Sequence, residues 1–263
     1  MLAFVKLGGS LITDKQRENT FLPQAMSQIA AEIAQALSAS PDLRLVIGHG
    51  SGSFGHFAAR MHGTARGVTS SEGWRGFAAV AAAARDLNHL VLHSLRDAGV
   101  PAMAFQPSAA LMSDHRSIVY YETAPIAAAL EHGLVPLVHG DVAFDKAQGG
   151  AIISTETVFF YLAQHLPAQH IVLLGEVPGV LDAHGAVIPE ITPANVTEIE
   201  SALGGSSGVD VTGGMETKVR DMLRLAEMLP YLRIHIASGR TPGLLARLLQ
   251  GEVVTGTSLH AGR

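Results

Sequence analysis

No cysteine occurs in the 263 residues. A disulfide frame, a thiolate nucleophile and a zinc site built on cysteine are thereby excluded. Positive charge is also scarce: 18 lysines and arginines stand against 23 aspartates and glutamates, a formal net charge of −5. No cluster of lysine or arginine reverses that balance locally, so no nucleic-acid partner is expected. Any phosphate ligand must be held by a few placed lysines, backbone amides and helix ends. No apolar run approaches the ~20 residues of a membrane span without polar interruption. The opening Leu2-Ala-Phe-Val5 reads as a strand rather than as a secretion signal, and a soluble, cytoplasmic protein without a membrane partner is the expectation. A Walker A loop, G-x-x-x-x-G-K-[ST], is absent, as are internal repeats, low-complexity tracts and an obvious linker.

What the chain has is apolar residues, 48% of the total, enough for a sizeable core. They fall in short runs that alternate with helical periods. Strands are expected at residues 2–7, 43–47, 101–105, 134–138, 170–174 and 233–237, with a terminal strand at 253–254. Helices are expected at 24–37, 73–98 (closed by Gly99), after Pro125 as far as Gly133, and at 157–166, 196–203, 215–228 and 241–249. A hairpin turn is expected at 182–185. The polar stretch 141–155 reads as a long loop, a lid or a seam between two lobes. This alternation predicts a single α/β domain, a three-layer α/β/α sandwich with a mostly parallel central sheet. Its ligands would bind beyond the carboxyl ends of the strands.

Glycine is concentrated where such a site would form. Lys6-Leu-Gly-Gly-Ser10 follows the first strand, His49-Gly-Ser-Gly-Ser-Phe-Gly-His56 follows the second, and Val211-Thr-Gly-Gly-Met-Glu-Thr-Lys218 leads into a helix. Glycine lets backbone N–H groups face an anion without a Cβ in the way, and a helix N-terminus adds its own free N–H groups. Three such segments, two of them carrying a lysine, suit a protein that handles more phosphate than one monoester carries. Gly50-x-Gly52-x-x-Gly55 also matches the dinucleotide fingerprint. However, no acidic residue ends a second strand about 20 residues on, and Glu72 falls at a helix start.

Together, Lys6-Leu-Gly-Gly-Ser10 with Leu11-Ile-Thr-Asp-Lys15, the Ser53-Phe-Gly-His56 ending, Val138-His-Gly-Asp141, Ile152-Ile-Ser154 and Asp210-Val-Thr-Gly-Gly-Met215 resemble the amino acid kinase superfamily. Within it, the segment ending in His56 is similar to that of the isopentenyl phosphate kinases. The resemblance implies the amino acid kinase fold and transfer of the ATP γ-phosphoryl group to a small phosphate monoester, isopentenyl phosphate. It implies Lys6, Lys15 and His56 as catalytic residues, with Lys6 on the β- and γ-phosphates, Lys15 on the transferring group and His56 on the acceptor's phosphate. Nucleotide contacts are implied for Lys6, Gly8, Gly9, Ser10, Gly52, Gly213 and Lys218, and acceptor contacts for Ser51, Gly55, His56 and Thr155. Mg²⁺ would travel with the nucleotide, without a protein metal ligand. An N-terminal lobe (about 1–150) would bind the acceptor, a C-terminal lobe (about 151–263) the nucleotide, and the chain would pair as a homodimer.

The same residues also admit plainer readings. Each lysine could be an ordinary exposed one, and His49 and His139 are expected to be structural or to support the residues that touch a ligand. Trp74, Phe77 and Val80 at helical spacing are either core or a pocket for a prenyl tail. The acceptor oxygen is anionic near neutral pH, since a phosphate monoester's second pKa is about 6. No general base is therefore required, and Asp141 either orients Lys6 or Lys15 or closes a turn. Three departures from the family pattern stand out: Ser51 where glycine is usual, Thr155-Glu-Thr157 for Gly-Asp-Asp, and Leu174-Gly-Glu-Val-Pro178 for Thr-Asp-Val-Asp. The second lengthens or displaces an aspartate that would organise a lysine or Mg²⁺. Rival readings are a fosfomycin-type phosphonate kinase, which shares the histidine, an amino acid or carbamate kinase, and a non-catalytic nucleotide sensor.

Overall fold

Side chains alternate across a strand, and the first strand uses both faces: Leu2 and Phe4 enter one apolar core, Ala3, Val5 and Leu7 the other. Residues buried on both faces require helices on both, and these follow. The computed structural model describes residues 1–64, 67–203, 214–252 and 255–262. In chain order the elements are β1 (Leu2–Leu7), α1 (Gly9–Ile12), α2 (Pro23–Ala39), β2 (Arg44–His49), α3 (Gly52–His62), α4 (Ser71–Asp97), β3 (Ala102–Ala104), β4 (Leu111–Asp114), β5 (Ser117–Tyr121), α5 (Ala124–Glu131), β6 (Val135–His139), β7 (Asp141–Asp145) and β8 (Gly149–Ile153). The second half adds α6 (Thr155–His165), β9 (His170–Gly175), β10 (Glu190–Ile191), α7 (Val196–Leu203), α8 (Met215–Met228), β11 (Arg233–Ser238), α9 (Leu244–Leu249) and β12 (Thr257–Leu259).

Among the described residues the main sheet runs β10-β12-β11-β9-β1-β2-β6-β3, and only the β11–β12 pair is antiparallel. One face packs on α5, α6 and α8 through Phe4, Val46, Phe159, Leu162, Ile171, Met222 and Ile234. The other packs on α2, α4 and α9 through Val5, Ile47, Ile33, Leu87, Leu95 and Leu245. The three layers expected from the alternation are therefore present. Gly99 and Gly133 take positive φ of 82° and 73° just past α4 and α5, as helix-ending glycines do. Residues 182–185 form a tight turn closed by an isolated Leu181–Val187 bridge, with Asp182 Oδ1 accepting from His184 and Ala186 N–H.

Three expectations are corrected. Residues 141–155 are not a loop: β7 and β8 form a hairpin in a second sheet of order β5-β4-β7-β8. The β4–β5 hairpin of that sheet turns on His115 and Arg116, both at positive φ (47° and 66°), a two-residue turn without the glycine that usually announces one. Residues 52–56 are not a loop either: they open helix α3. The last helix begins at Leu244 rather than 241, because Gly243 sits at φ 75° and the Glu32 carboxylate on α2 accepts from the N–H groups of Gly243, Leu245 and Ala246. The strand expected at 253–254 lies outside the described residues; β12 follows it.

Candidate functional site

The carboxyl ends of five adjacent parallel strands lie side by side, with Leu7 opposite both His49 and Leu174, His49 opposite His139, and Ser238 opposite Gly175. Each strand end hands its next N–H to a neighbouring strand: Gly8 N–H donates to Leu174 O (2.8 Å), Gly50 to Leu7 O (3.0 Å), Gly140 to His49 O (3.0 Å) and Gly239 to Gly175 O (2.9 Å). The first two glycine segments then touch. A Cβ on Gly9 would lie 2.5 Å from Gly52 N, and one on Gly50 would lie 3.1 Å from Gly9 N. The Thr13 hydroxyl stitches them, donating to Gly9 O at 2.7 Å and accepting from Ser53 N–H at 3.0 Å. Gly8, Gly9, Ser10, Ser51, Gly52 and Gly55 are thus gathered where β1 and β2 end. Ser51 is the residue that precedes α3, and its side chain lies against Gly55, leaving no room there for a Cβ.

Lys6 follows from strand alternation: with Leu2 and Phe4 it faces the layer containing α6 and α8. It is 7% exposed, and a lysine so buried needs a counter-charge. Glu156, second residue of α6, supplies it, with Oε1 2.9 Å from Lys6 Nζ and 3.5 Å from Lys218 Nζ on α8. Burial opposes ionisation of Glu156, but the two ammonium groups outweigh it and hold the carboxyl down at about 2. Close approach of α6 depends on Gly48, whose Cβ would meet the Thr155 methyl at 2.6 Å and the Phe159 ring at 2.8 Å. Glu156 thus stands between the two nucleotide-binding lysines expected from the sequence.

A second carboxylate bridges a second pair of cations further out. Lys15 sits in an exposed loop closed by a Thr13–Phe21 bridge and an Asp14 N–H bond to Thr20 O. Its Nζ is 3.6 Å from Glu176 Oε2, and Glu176 Oε1 accepts from Arg240 Nη2 at 3.0 Å. Glu176 and Arg240 come from the loops after β9 and β11.

On the side expected to hold the acceptor, His56 is half-buried on α3, which packs alongside α4. Beneath α3, Ala59, Phe77, Val80 and Val142 form a small apolar cluster of their own. Trp74, Phe77 and Phe144 meet there with ring centroids 5.2–5.8 Å apart. Thr155 is buried, and its hydroxyl donates to His49 O at 2.6 Å. His49 and His139 are fully buried and stacked, with centroids 5.5 Å apart. His49 bonds to Asn88 Oδ1 and Gly50 O, and burial with the neighbouring His139 lowers its pKa to about 4. His139 Nδ1 lies 3.0 Å from Gly140 O. Asp141 opens β7 and, among the described residues, does not pair with a lysine; its carboxylate accepts from Ser108 N–H, 33 positions away, and from Val142 N–H. Gly213 lies outside the described residues.

Arg240 was not among the residues singled out from the sequence, and Glu156 entered only as a longer or displaced counterpart of an aspartate, without its two lysine partners. The signals were present: Glu156 follows Ser154, whose Oγ caps α6 by accepting from Thr157 N–H, and Arg240 follows a buried strand and a glycine at the ligand-binding edge of the sheet. Among the described residues no three His, Asp or Glu side chains converge as a metal site, and no helix is long and apolar enough to cross a membrane.

A profile of the amino acid kinase family matches residues 1–238. The isopentenyl phosphate kinase of Haloferax volcanii is 38% identical over 94% of this chain and 98% of its own, and that of Methanocaldococcus jannaschii 32% identical over 96% of each. A solved isopentenyl phosphate kinase structure superposes with a TM-score of 0.83 at 29% identity, over 98% of this chain and 100% of its own. On the profile and these end-to-end likenesses, the chain belongs to the amino acid kinase family and, within it, to the isopentenyl phosphate kinases.

Proposed function

We propose that this protein transfers the γ-phosphoryl group of ATP to isopentenyl phosphate, giving isopentenyl diphosphate and ADP. One observation carries the reading most: Gly9 and Gly52 abut, so two anion-binding segments form one continuous floor where two phosphate-bearing molecules can meet end to end. In this reading Gly8, Gly9, Ser10, Gly52 and Gly213 line the nucleotide's phosphates, Lys6 takes the β- and γ-phosphates, and Lys218 lies further along the chain. Lys15 closes on the transferring group. Ser51, Gly55, His56 and Thr155 border the acceptor's phosphate, and the Trp74, Phe77 and Val80 face receives its five-carbon tail. The acceptor lies in the N-terminal lobe, the nucleotide in the C-terminal one.

An anionic oxygen of the acceptor attacks the γ-phosphorus, and the bond to the bridging β–γ oxygen breaks with its electron pair leaving on ADP. The attacking oxygen carries no proton, so charge neutralisation and alignment are the whole task. Lys6, Lys15 and Lys218 supply the first, and the joined glycine segments the second. Mg²⁺ would come with the nucleotide and lower the charge on its phosphates, with no ligand from this chain, and the working form is a cytoplasmic homodimer. The test is ATP consumption with isopentenyl phosphate, dimethylallyl phosphate and fosfomycin, each product identified by phosphorus NMR. Preference for isopentenyl phosphate is expected. Preference for fosfomycin replaces the acceptor, and silence on all three favours a nucleotide sensor.

A further inference from the structure

The four cations at the sheet edge are held in two unlike ways. Lys6 and Lys218 share a buried carboxylate: side-chain exposure is 9% for Lys6 and 16% for Glu156. Lys15 and Arg240 share an exposed one, with exposures of 69%, 45% and 42% for Lys15, Arg240 and Glu176. A buried pair cannot be broken without stranding a charge. Exposed pairs hold weakly and exchange readily, so the outer cations are available to a better anion. Their backbone anchors are firm. Arg240 N–H donates to Ser238 Oγ at 3.1 Å, and Gly239 N–H donates to Gly175 O. Gly8 packs on the Leu174–Gly175 backbone, while the other side of Gly175, beside Glu176, faces open space. The guanidinium therefore starts from the strand-end loop next to the first glycine segment, and a planar fork of N–H donors suits phosphate oxygens better than a point charge does.

We propose that Arg240 is a further phosphate-binding residue of this site, closing with Lys15 over the terminal phosphates of the nucleotide, and that Glu176 holds both cations until those phosphates replace it. The inference rests on the kinase reading above. Calorimetric titration with ATP and with AMP, which lacks the β- and γ-phosphates, tests it on the wild type and on Arg240→Ala, Arg240→Lys and Glu176→Gln. Arg240→Ala is expected to weaken ATP binding about tenfold, the loss of one charge-assisted contact, and to leave AMP binding within about twofold. Arg240→Lys should recover part of the loss, and Glu176→Gln should bind ATP more tightly than the wild type because no carboxylate competes. Equal weakening of ATP and AMP would make the Glu176–Arg240 pair a structural clamp and overturn the proposal, as would unchanged ATP affinity in Arg240→Ala or weaker ATP binding in Glu176→Gln. These outcomes, seen while the wild type still phosphorylates isopentenyl phosphate, remove only Arg240 from the site. A wild type that neither binds nor consumes ATP removes the kinase reading with it.

Discussion

Glu156 has a chemical task that a substitution can expose. Its carboxyl titrates at about 2 instead of 4.5, so its ionised form stabilises the fold fully above pH 4.5, and that contribution disappears as the pH falls through 2. The shift corresponds to about 3 kcal/mol. Glu156→Gln should therefore cost about 2–3 kcal/mol at pH 7, and its deficit against the wild type should shrink as the pH is lowered from 5 towards 2. Urea unfolding across that range decides it; a deficit that does not change with pH would mean the cost is packing and not charge. His56 tests the acceptor side. His56→Ala should raise KM for isopentenyl phosphate at least about tenfold, the loss of one charged contact, while the dissociation constant for ATP stays within about twofold. Equal damage to both would take His56 off the acceptor. Lys6 was legible at this scale because a lysine before paired glycines at a strand end has few other uses. Glu156 was legible only as a lengthened or displaced aspartate, and its two partners were not, because Lys6 lies 150 positions before it and Lys218 62 positions after it.

At the scale of elements, the junction of α1 with α3 decides the geometry. A Cβ on Gly9 meets backbone atoms of Gly52 at 2.5–2.6 Å, and backbone cannot swing aside as a side chain can. Gly9→Ala should therefore push the two glycine segments apart, destabilise the protein by about 1–3 kcal/mol and lower kcat by about 100-fold or more. Thermal unfolding and steady-state kinetics read both; full activity at unchanged stability would show that the segments need not touch. Strands and long helices were readable because burial imposes their periods: 2–7 and 215–228 match β1 and α8 to the residue. The second sheet was not readable. Its strands mix exposed Met112, Val119, Tyr120 and Phe144 with buried Leu111, Ser113 and Asp145, and its β4–β5 turn uses His115 and Arg116 in place of glycine. What holds it is Asp145, whose carboxylate accepts from Ser113 Oγ and from Arg116, Ala147 and Gln148 N–H. The start of α9 was misplaced for a similar reason, since its cap, Glu32, is 211 residues from Gly243.

For the whole molecule, packing on both sheet faces has a price in acid. His49 is buried beside His139, and His235 is half-buried beside His170 and Arg233; burial first, then each one's own neighbours, lower both imidazoles from 6.5 to about 4. The unfolded chain takes up these protons before the folded one does, so stability is intact above pH 6.5 and falls as the pH drops towards 4. His49 alone should cost about 2 kcal/mol between pH 7 and pH 5. Urea midpoints at the two values, with imidazole NMR titration of His49, check this; a His49 midpoint near 6.5 would refute it. The chain by itself determined its layers and its phosphate chemistry: apolar periods of two and 3.6 leave each strand and helix few faces to bury, and glycine beside lysine at strand ends marks an anion site through local geometry alone. Only the tertiary structure decided which carboxylate serves which cation, which glycines touch, and that the stretch after Asp141 is a hairpin. Those outcomes depend on atoms brought within hydrogen-bonding reach from distant parts of the chain, and no local period records such a meeting.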